Sequence, residues 1–276
     1  MCYINGIKVS LATYLEYKKI QKELKHINAI VKNKEVQKGF DYDDWPVLKT
    51  SPCGSDWDVV PMQWGFLPPN LKTPEAVERF RKGYKNSAGV FVPPFTTLNA
   101  MGEELLLPDK MFRHAALHNR CLVLSTGFYE HTHVFQKNKR TGAPRKTATK
   151  FPYHITVPST NILLLAGIYS SWRNMDTGET KETFAIVTTR ANSIMEKVHN
   201  SKKRMPVILS GEMAERWTDP HLTEAEIASI ASYQLPSALM AAYPVRKTLL
   251  EEQEPSELFI EPGVPELITY NYGSAV

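Results

Sequence analysis

Cysteine is scarce in this chain. Its 276 residues include three, Cys2, Cys53 and Cys121, an odd number with no C-x-x-C spacing. That argues against a disulfide framework or a zinc ribbon, and for a reducing compartment. Long apolar runs are missing too. The longest, Ile162 to Tyr169, is far short of the ~20 residues that span a bilayer. Residues 1–20 hold no apolar core of a leader and no small-residue cleavage site, so no targeting segment is expected. Acids are absent locally, from residues 136–150. No internal repeat and no linker-like break divides the sequence, so one domain is expected over residues 1–250, with 251–276 as a loosely attached extension rich in Pro and Glu.

What is present suits a globular protein. Hydrophobic residues make up 42% and charged residues 22%, so a sizeable core is expected and global disorder is not. The net charge of +4 is compatible with a polyanion without naming one. A soluble cytoplasmic monomer is expected, nucleoid-associated if the source is bacterial, with no membrane attachment.

Residues 3–9 read as a short strand. From Ser10 to Lys38 apolar residues recur at three- and four-residue spacings (Leu11, Leu15, Leu24, Ile27, Val31), which predicts a long amphipathic helix ending near Gly39. Residues 40–56, with Pro46, Pro52 and Gly54, read as an irregular loop. Strand-like runs follow at 58–66, 90–98, 121–129, 151–157, 162–169 and 183–189. Helices are expected at 73–84, 108–118, 191–198, 211–217 and 223–232, the last opening on the capping box TEAE. Many short strands, scattered helices and no βαβ alternation predict an α+β fold with a mostly antiparallel, barrel-like sheet.

Four stretches carry possible chemistry. The first is Met1-Cys2. Loss of Met1 would leave Cys2 with an α-amine beside its thiol, and both groups have reference pKa values near 8. Such an aminothiol condenses with aldehydes to a thiazolidine, or serves as an N-terminal nucleophile in amide hydrolysis. Position alone leaves Cys2 as the second residue of a terminus, and only partners elsewhere in the chain make it a nucleophile. The others are TTLNAMGEEL with Asn99, RCLVLSTGFYEH with Glu130, and VTTRANSIMEKVHNSKKRMPVIL with Thr188, His199 and Arg204. Each polar candidate stands where an element ends, where sites are commonly built. Taken singly, Glu130 reads as a strand-end carboxylate, His199 as a helix-end histidine, Asn99 as a turn residue and Trp64 as core. His131-x-His133 lacks a third ligand and predicts no metal. The basic run 136–150 (QKNKRTGAPRKTATK) reads equally as a phosphate-binding segment or a hairpin tip. Lys202, Lys203 and Arg204 make a second basic cluster.

Taken together, MC, NAMGE, GFYE and HNSKKRMP, with WGFLPP, LLLAGIYSSW, FAIVTTRAN and AYPVRK, resemble the SRAP-domain family of SOS response-associated peptidases and abasic-site shielding proteins. The resemblance runs in order over most of residues 1–250. It departs at Ile4 and Met101, where relatives carry arginine, at His131, where a tryptophan is common, and in a longer spacing from His199 to Arg204. It implies a single-stranded DNA partner with an abasic site, and no cofactor. It further implies that Cys2, Asn99, Glu130 and His199 act on the ring-opened sugar. Glu130 would take a proton from the amine or hold it, His199 would protonate the ring oxygen, and Asn99 would orient the reacting groups. Arg113, Arg120, Thr188 and Arg204 are the residues expected at DNA phosphates, with Trp64 stacking or wedging. Peptidase action on Met1, and non-covalent strand binding through the basic loop, stand as alternatives.

Overall fold

The computed structural model describes residues 2–8, 27–32, 34–51, 56–138 and 140–265. The first elements are β1 (Ile4–Gly6), α1 (Ile27–Val31), β2 (Val36–Lys38), β3 (Asp44–Thr50) and β4 (Trp57–Trp64). The helix expected as far as Lys38 therefore stops at Val31. Lys32 takes φ 51, a left-handed turn that ends it, and Val36 pairs with Gly6 instead. The upstream part of that helix, and Cys53, lie outside the described residues. The region read as a loop contains β3, a strand hidden from pattern reading by Pro46. Pro46 stands directly opposite Pro61 of β4, so the two residues without N–H groups share one rung.

Next come α2 (Pro74–Lys82), β5 (Tyr84–Lys85), β6 (Phe91–Val92), β7 (Asn99–Met101), α3 (Arg113–His118), β8 (Arg120–Ser125) and β9 (Gly127–Val134). Thr73 caps α2 by accepting from the Ala76 N–H, with Pro74 in the first turn as expected. The run 90–98 yields only the two residues of β6, because Pro93 and Pro94 cannot continue a ladder. The run 121–129 is two strands in two sheets, broken at Thr126. The chain completes with β10 (Thr149–Thr156), β11 (Leu163–Arg173), β12 (Thr180–Arg190), α4 (Ser193–Val198), β13 (Arg204–Pro206), β14 (Ile208–Leu209), α5 (Gly211–Thr218), α6 (Glu224–Ala231) and β15 (Ala241–Pro244). The capping box at Thr223 and Glu226 is present.

The fold is α+β around a closed five-stranded barrel, in the ring order β12-β4-β3-β8-β11 and back to β12. Five strands cannot alternate all the way round, so one junction must be parallel, and it is β12 with β4. The barrel interior holds Val47, Met62, Val123, Leu165 and Ile186 among the fully buried apolar residues. A second, antiparallel sheet runs β15-β10-β9-β1-β2. The two sheets join through β8 and β9. There the Ser125 hydroxyl donates to Asn5 Oδ1 at 2.7 Å and accepts from the Gly127 N–H at 3.1 Å. The bend at Thr126 thus keeps its polar groups satisfied while it moves the chain between sheets.

The described part of the segment after Glu251 is packed down. Phe259 N–H donates to Pro244 O, Tyr153 Oη donates to Pro265 O, and the Arg246 guanidinium lies 3.9 Å from the Phe259 ring centre. Lys8 pairs with Glu254 at 2.9 Å. Among the described residues no helix is long and apolar enough to cross a membrane.

Candidate functional site

Four elements converge at the barrel edge that faces the second sheet. Cys2 leads into β1, whose register sets Ile4 against Tyr129, so Cys2 arrives beside the part of β9 that carries Glu130. Asn99 opens β7, which pairs in parallel with β12 at Ile186. Its side-chain amide donates to the Cys2 carbonyl at 2.8 Å. His199 caps the C-terminus of α4 through its backbone N–H to Met195 O. Cys2, Asn99, Glu130 and His199 are all buried, between 0% and 6% exposed.

Two contacts that pattern reading missed hold α4 onto β9. The Thr132 hydroxyl donates to Val198 O at 2.8 Å. Asn200 makes a reciprocal pair with the His133 backbone, accepting from its N–H and donating to its carbonyl, both at 3.0 Å. Neither residue type is unusual at its position, so only the folded chain shows that they fix the distance from Glu130 to His199. That distance is 3.8 Å, from Glu130 Oε1 to His199 Nδ1.

The electrostatics follow from burial. Desolvation pushes the Glu130 carboxyl up to about 7 and the His199 imidazole down to about 4. His199 Nδ1 also lies 2.9 Å from the Arg204 carbonyl, which can only accept. The neutral ring therefore carries its hydrogen on Nδ1 and its lone pair on Nε2. Burial thus favours a proton on the Glu130 carboxyl over a charged His199 imidazolium in this pair. Burial, and then the Glu130 charge, push the Cys2 thiol well above its ordinary range. The same two influences raise Tyr3. Asn99 Oδ1 is buried with no hydrogen-bond partner among the described residues, an acceptor left over once the amide N–H is given to Cys2.

The residues expected at DNA phosphates are placed differently. Arg120 is 6% exposed and donates to the carbonyls of Trp217, Ala116, Leu117 and Asp219, tying α3 and α5 to the barrel. Arg113 pairs with Glu224 at 2.7 Å and donates to Leu106 O. Arg204 is 8% exposed and grips both oxygens of Glu103, at 2.9 and 2.8 Å, as well as Thr188 O. Thr188 is fully buried and donates to Ala100 O. Trp64 is 2% exposed, donates to Leu98 O at 2.9 Å and lies parallel to Phe184. As the fold stands, Arg120, Thr188, Arg204 and Trp64 are engaged in the interior and Arg113 in an ion pair at its surface. Among the described residues no group of three or more His, Cys, Asp or Glu is placed to hold a metal.

Comparison with known proteins gives a consistent picture. The family model of the SOS response associated peptidase (SRAP) matches residues 11–251. The chain is 28% identical over 208 residues to the abasic site processing protein YoqW of Bacillus subtilis, covering 75% of this chain and 78% of that one. It is 26% identical over 179 residues to the abasic site processing protein HMCES of Xenopus tropicalis, spanning 58% of this chain and 45% of that longer protein. Among solved structures, a protein of Bacteroides thetaiotaomicron superposes with a TM-score of 0.69 at 28% identity, covering 93% of this chain and 97% of the other.

Proposed function

The chain belongs to the SOS response associated peptidase family, and on that premise we propose that it processes abasic sites in single-stranded DNA by a covalent link through Cys2. Removal of Met1 is part of the proposal, because only then does Cys2 carry a free α-amine. The amine attacks the aldehyde of the ring-opened sugar and expels one water to give an imine. The thiol then adds to the imine carbon, and its proton passes to the nitrogen, which closes a thiazolidine. Lesion and protein are thereby joined in a ring that shields the aldehyde.

The observation that carries this reading is the shared burial of Cys2, Asn99, Glu130 and His199, with Asn99 fastened to the Cys2 carbonyl. Glu130, pushed up to about 7, can accept the proton from the amine and return it to the ring oxygen when the sugar opens. His199, neutral and fixed through Nδ1, presents Nε2 as an acceptor that orients the sugar or a water. The raised thiol is consistent with a group that stays protonated until the imine has formed. Incubation with an oligonucleotide bearing one abasic site, followed by denaturing electrophoresis, tests the proposal. A shifted band with wild type and none with Cys2→Ala is expected; equal bands from both proteins would end it.

The family description also names a peptidase, and a neutral histidine beside an N-terminal cysteine suits hydrolysis of Met1 by the protein itself. Mass spectrometry of protein made without methionine aminopeptidase separates the readings, since Met1 disappears only if its removal is self-catalysed.

A further inference from the structure

We propose that the hairpin joining β9 to β10, with the turn that follows α4, forms one phosphate-binding surface that grips the DNA backbone flanking the lesion. This rests on the reading of the site as one that acts on DNA. The hairpin presents Lys137, Arg140, Arg145, Lys146 and Lys150, and the turn presents Lys202 and Lys203, all of them exposed. Among the described residues none of the seven meets a carboxylate within ion-pair distance. Several basic side chains elsewhere do meet one: Lys8 pairs with Glu254, Lys49 with Glu182, Arg204 with Glu103 and Arg216 with Glu226. Seven exposed cations without a carboxylate partner among the described residues are thus gathered on two adjoining segments, while Arg120 and Arg204 are occupied inside the fold and Arg113 is paired with Glu224 at its surface.

The position is as telling as the charge. The hairpin grows from the strand that carries Glu130, and the turn begins at His199. Their bases are fastened together by the reciprocal Asn200–His133 pair, so both sets of cations are rooted at the site. The hairpin is also a built element. Arg145 N–H donates to Gln136 O, Asn138 N–H to Ala143 O and Gly142 N–H to Asn138 O, each at 2.8 Å, with Gly142 at φ 68 making the tip. A preformed finger loses less conformational entropy on binding than a disordered tail does. Phosphates spaced along a strand leaving the site are partners of matching charge, and each one neutralised releases condensed counterions.

The experiment measures binding of the full chain to an undamaged single strand of roughly 20 nucleotides, enough to extend beyond one site, by fluorescence anisotropy across a salt series. The variants are Lys137→Ala/Arg140→Ala/Arg145→Ala/Lys146→Ala and, separately, Lys202→Ala/Lys203→Ala, with thermal unfolding to check that each is folded. The hairpin variant is expected to bind at least about tenfold more weakly at low salt, with the log–log slope smaller by about 3; the turn variant should lose about 1.4, at ~0.7 per phosphate contact. Wild-type affinity and slope in both variants would overturn the proposal. So would a loss of binding to anionic phospholipid vesicles with DNA binding unchanged. The Cys2→Ala protein keeps the two ideas apart. If wild type gives no covalent band yet the hairpin variant loses its salt dependence, the lesion chemistry falls and the surface stands.

Discussion

Glu130 and His199 face each other across 3.8 Å without forming an ion pair at neutral pH. Burial favours the neutral form of both, raising the acid to about 7 and lowering the base to about 4. The usual order of the two groups is thereby inverted, and the carboxyl becomes the proton carrier. Titratable pairs driven apart by their surroundings are a common way to hold an acid and a base ready near neutral pH.

The rate of crosslink formation should therefore rise with pH through an inflection near 7, as Glu130 becomes able to take the proton of the amine. Glu130→Gln should lower the rate by about 10²-fold or more and remove that inflection. Single-turnover band shifts between pH 5.5 and 9 measure both effects. A Gln variant that keeps the inflection would assign it to another group.

The same shift has a consequence for stability. The folded carboxyl holds its proton up to about 7, whereas the unfolded one loses it near 4.5. Its stabilising contribution is fully present below 4.5 and is lost as pH rises through 7, with a limiting slope of about 1.4 kcal/mol per pH unit. His199 acts in the opposite sense: its folded value is about 4 against 6.5, so its contribution is present above 6.5 and is lost as pH falls toward 4. Glu130→Gln should consequently unfold at higher denaturant than wild type at pH 8 and lose that advantage at pH 5. Urea titrations at the two pH values check the sign.

Parts of both sheets could be read from residue pattern. The runs that became β10, β11 and β12 have the alternating or continuous apolar character of paired strands, and α6 announced itself by its capping box. What escaped had specific physical causes. Pro46 disguised β3, because a proline inside a strand is tolerated only where its missing N–H falls on a rung that can spare it. The helix predicted through Lys38 ended early because tertiary pairing of Val36 with Gly6 outweighed helix periodicity. The family resemblance singled out Cys2, Asn99, Glu130 and His199 together, whereas the occupation of Arg120 and Arg204 left no trace in it. A sequence shows that an arginine is present but not which carbonyls surround it, and the distant oxygens of Trp217 and Asp219 that take up Arg120 leave no local pattern.

Asn99 offers a test that does not depend on DNA. Its amide fixes the Cys2 carbonyl at 2.8 Å, so Asn99→Ala should free the leading segment while costing only about 1 kcal/mol of global stability, the usual worth of one hydrogen bond. The buried, raised thiol of wild-type Cys2 should react slowly with a disulfide reagent, and the variant should react severalfold faster at the same pH. Peptide mapping distinguishes Cys2 from Cys121, which is buried inside the barrel and should stay slow in both proteins. Unchanged Cys2 reactivity would mean that the carbonyl bond does not restrain the nucleophile.

Arg204 separates an architectural from a DNA-contacting arginine. Its guanidinium makes a two-pronged contact with Glu103 and donates to Thr188 O at 2.6 Å, which joins β13 to β12 and to the turn after β7. Although burial pushes the Glu103 carboxyl up, the Arg204 hydrogen bond prevails and holds it below the usual range. Removing one partner of such a pair leaves a poorly solvated charge, so Arg204→Ala should destabilise the free protein by about 3 kcal/mol, with Glu103→Ala costing at least as much because it strands the more buried of the two charges. The double variant should cost less than the sum of the singles, since the second substitution removes a group already stranded. Urea unfolding of the four proteins without DNA measures this. An Arg204→Ala protein as stable as wild type, yet weak in binding single strands, would return Arg204 to the phosphate backbone.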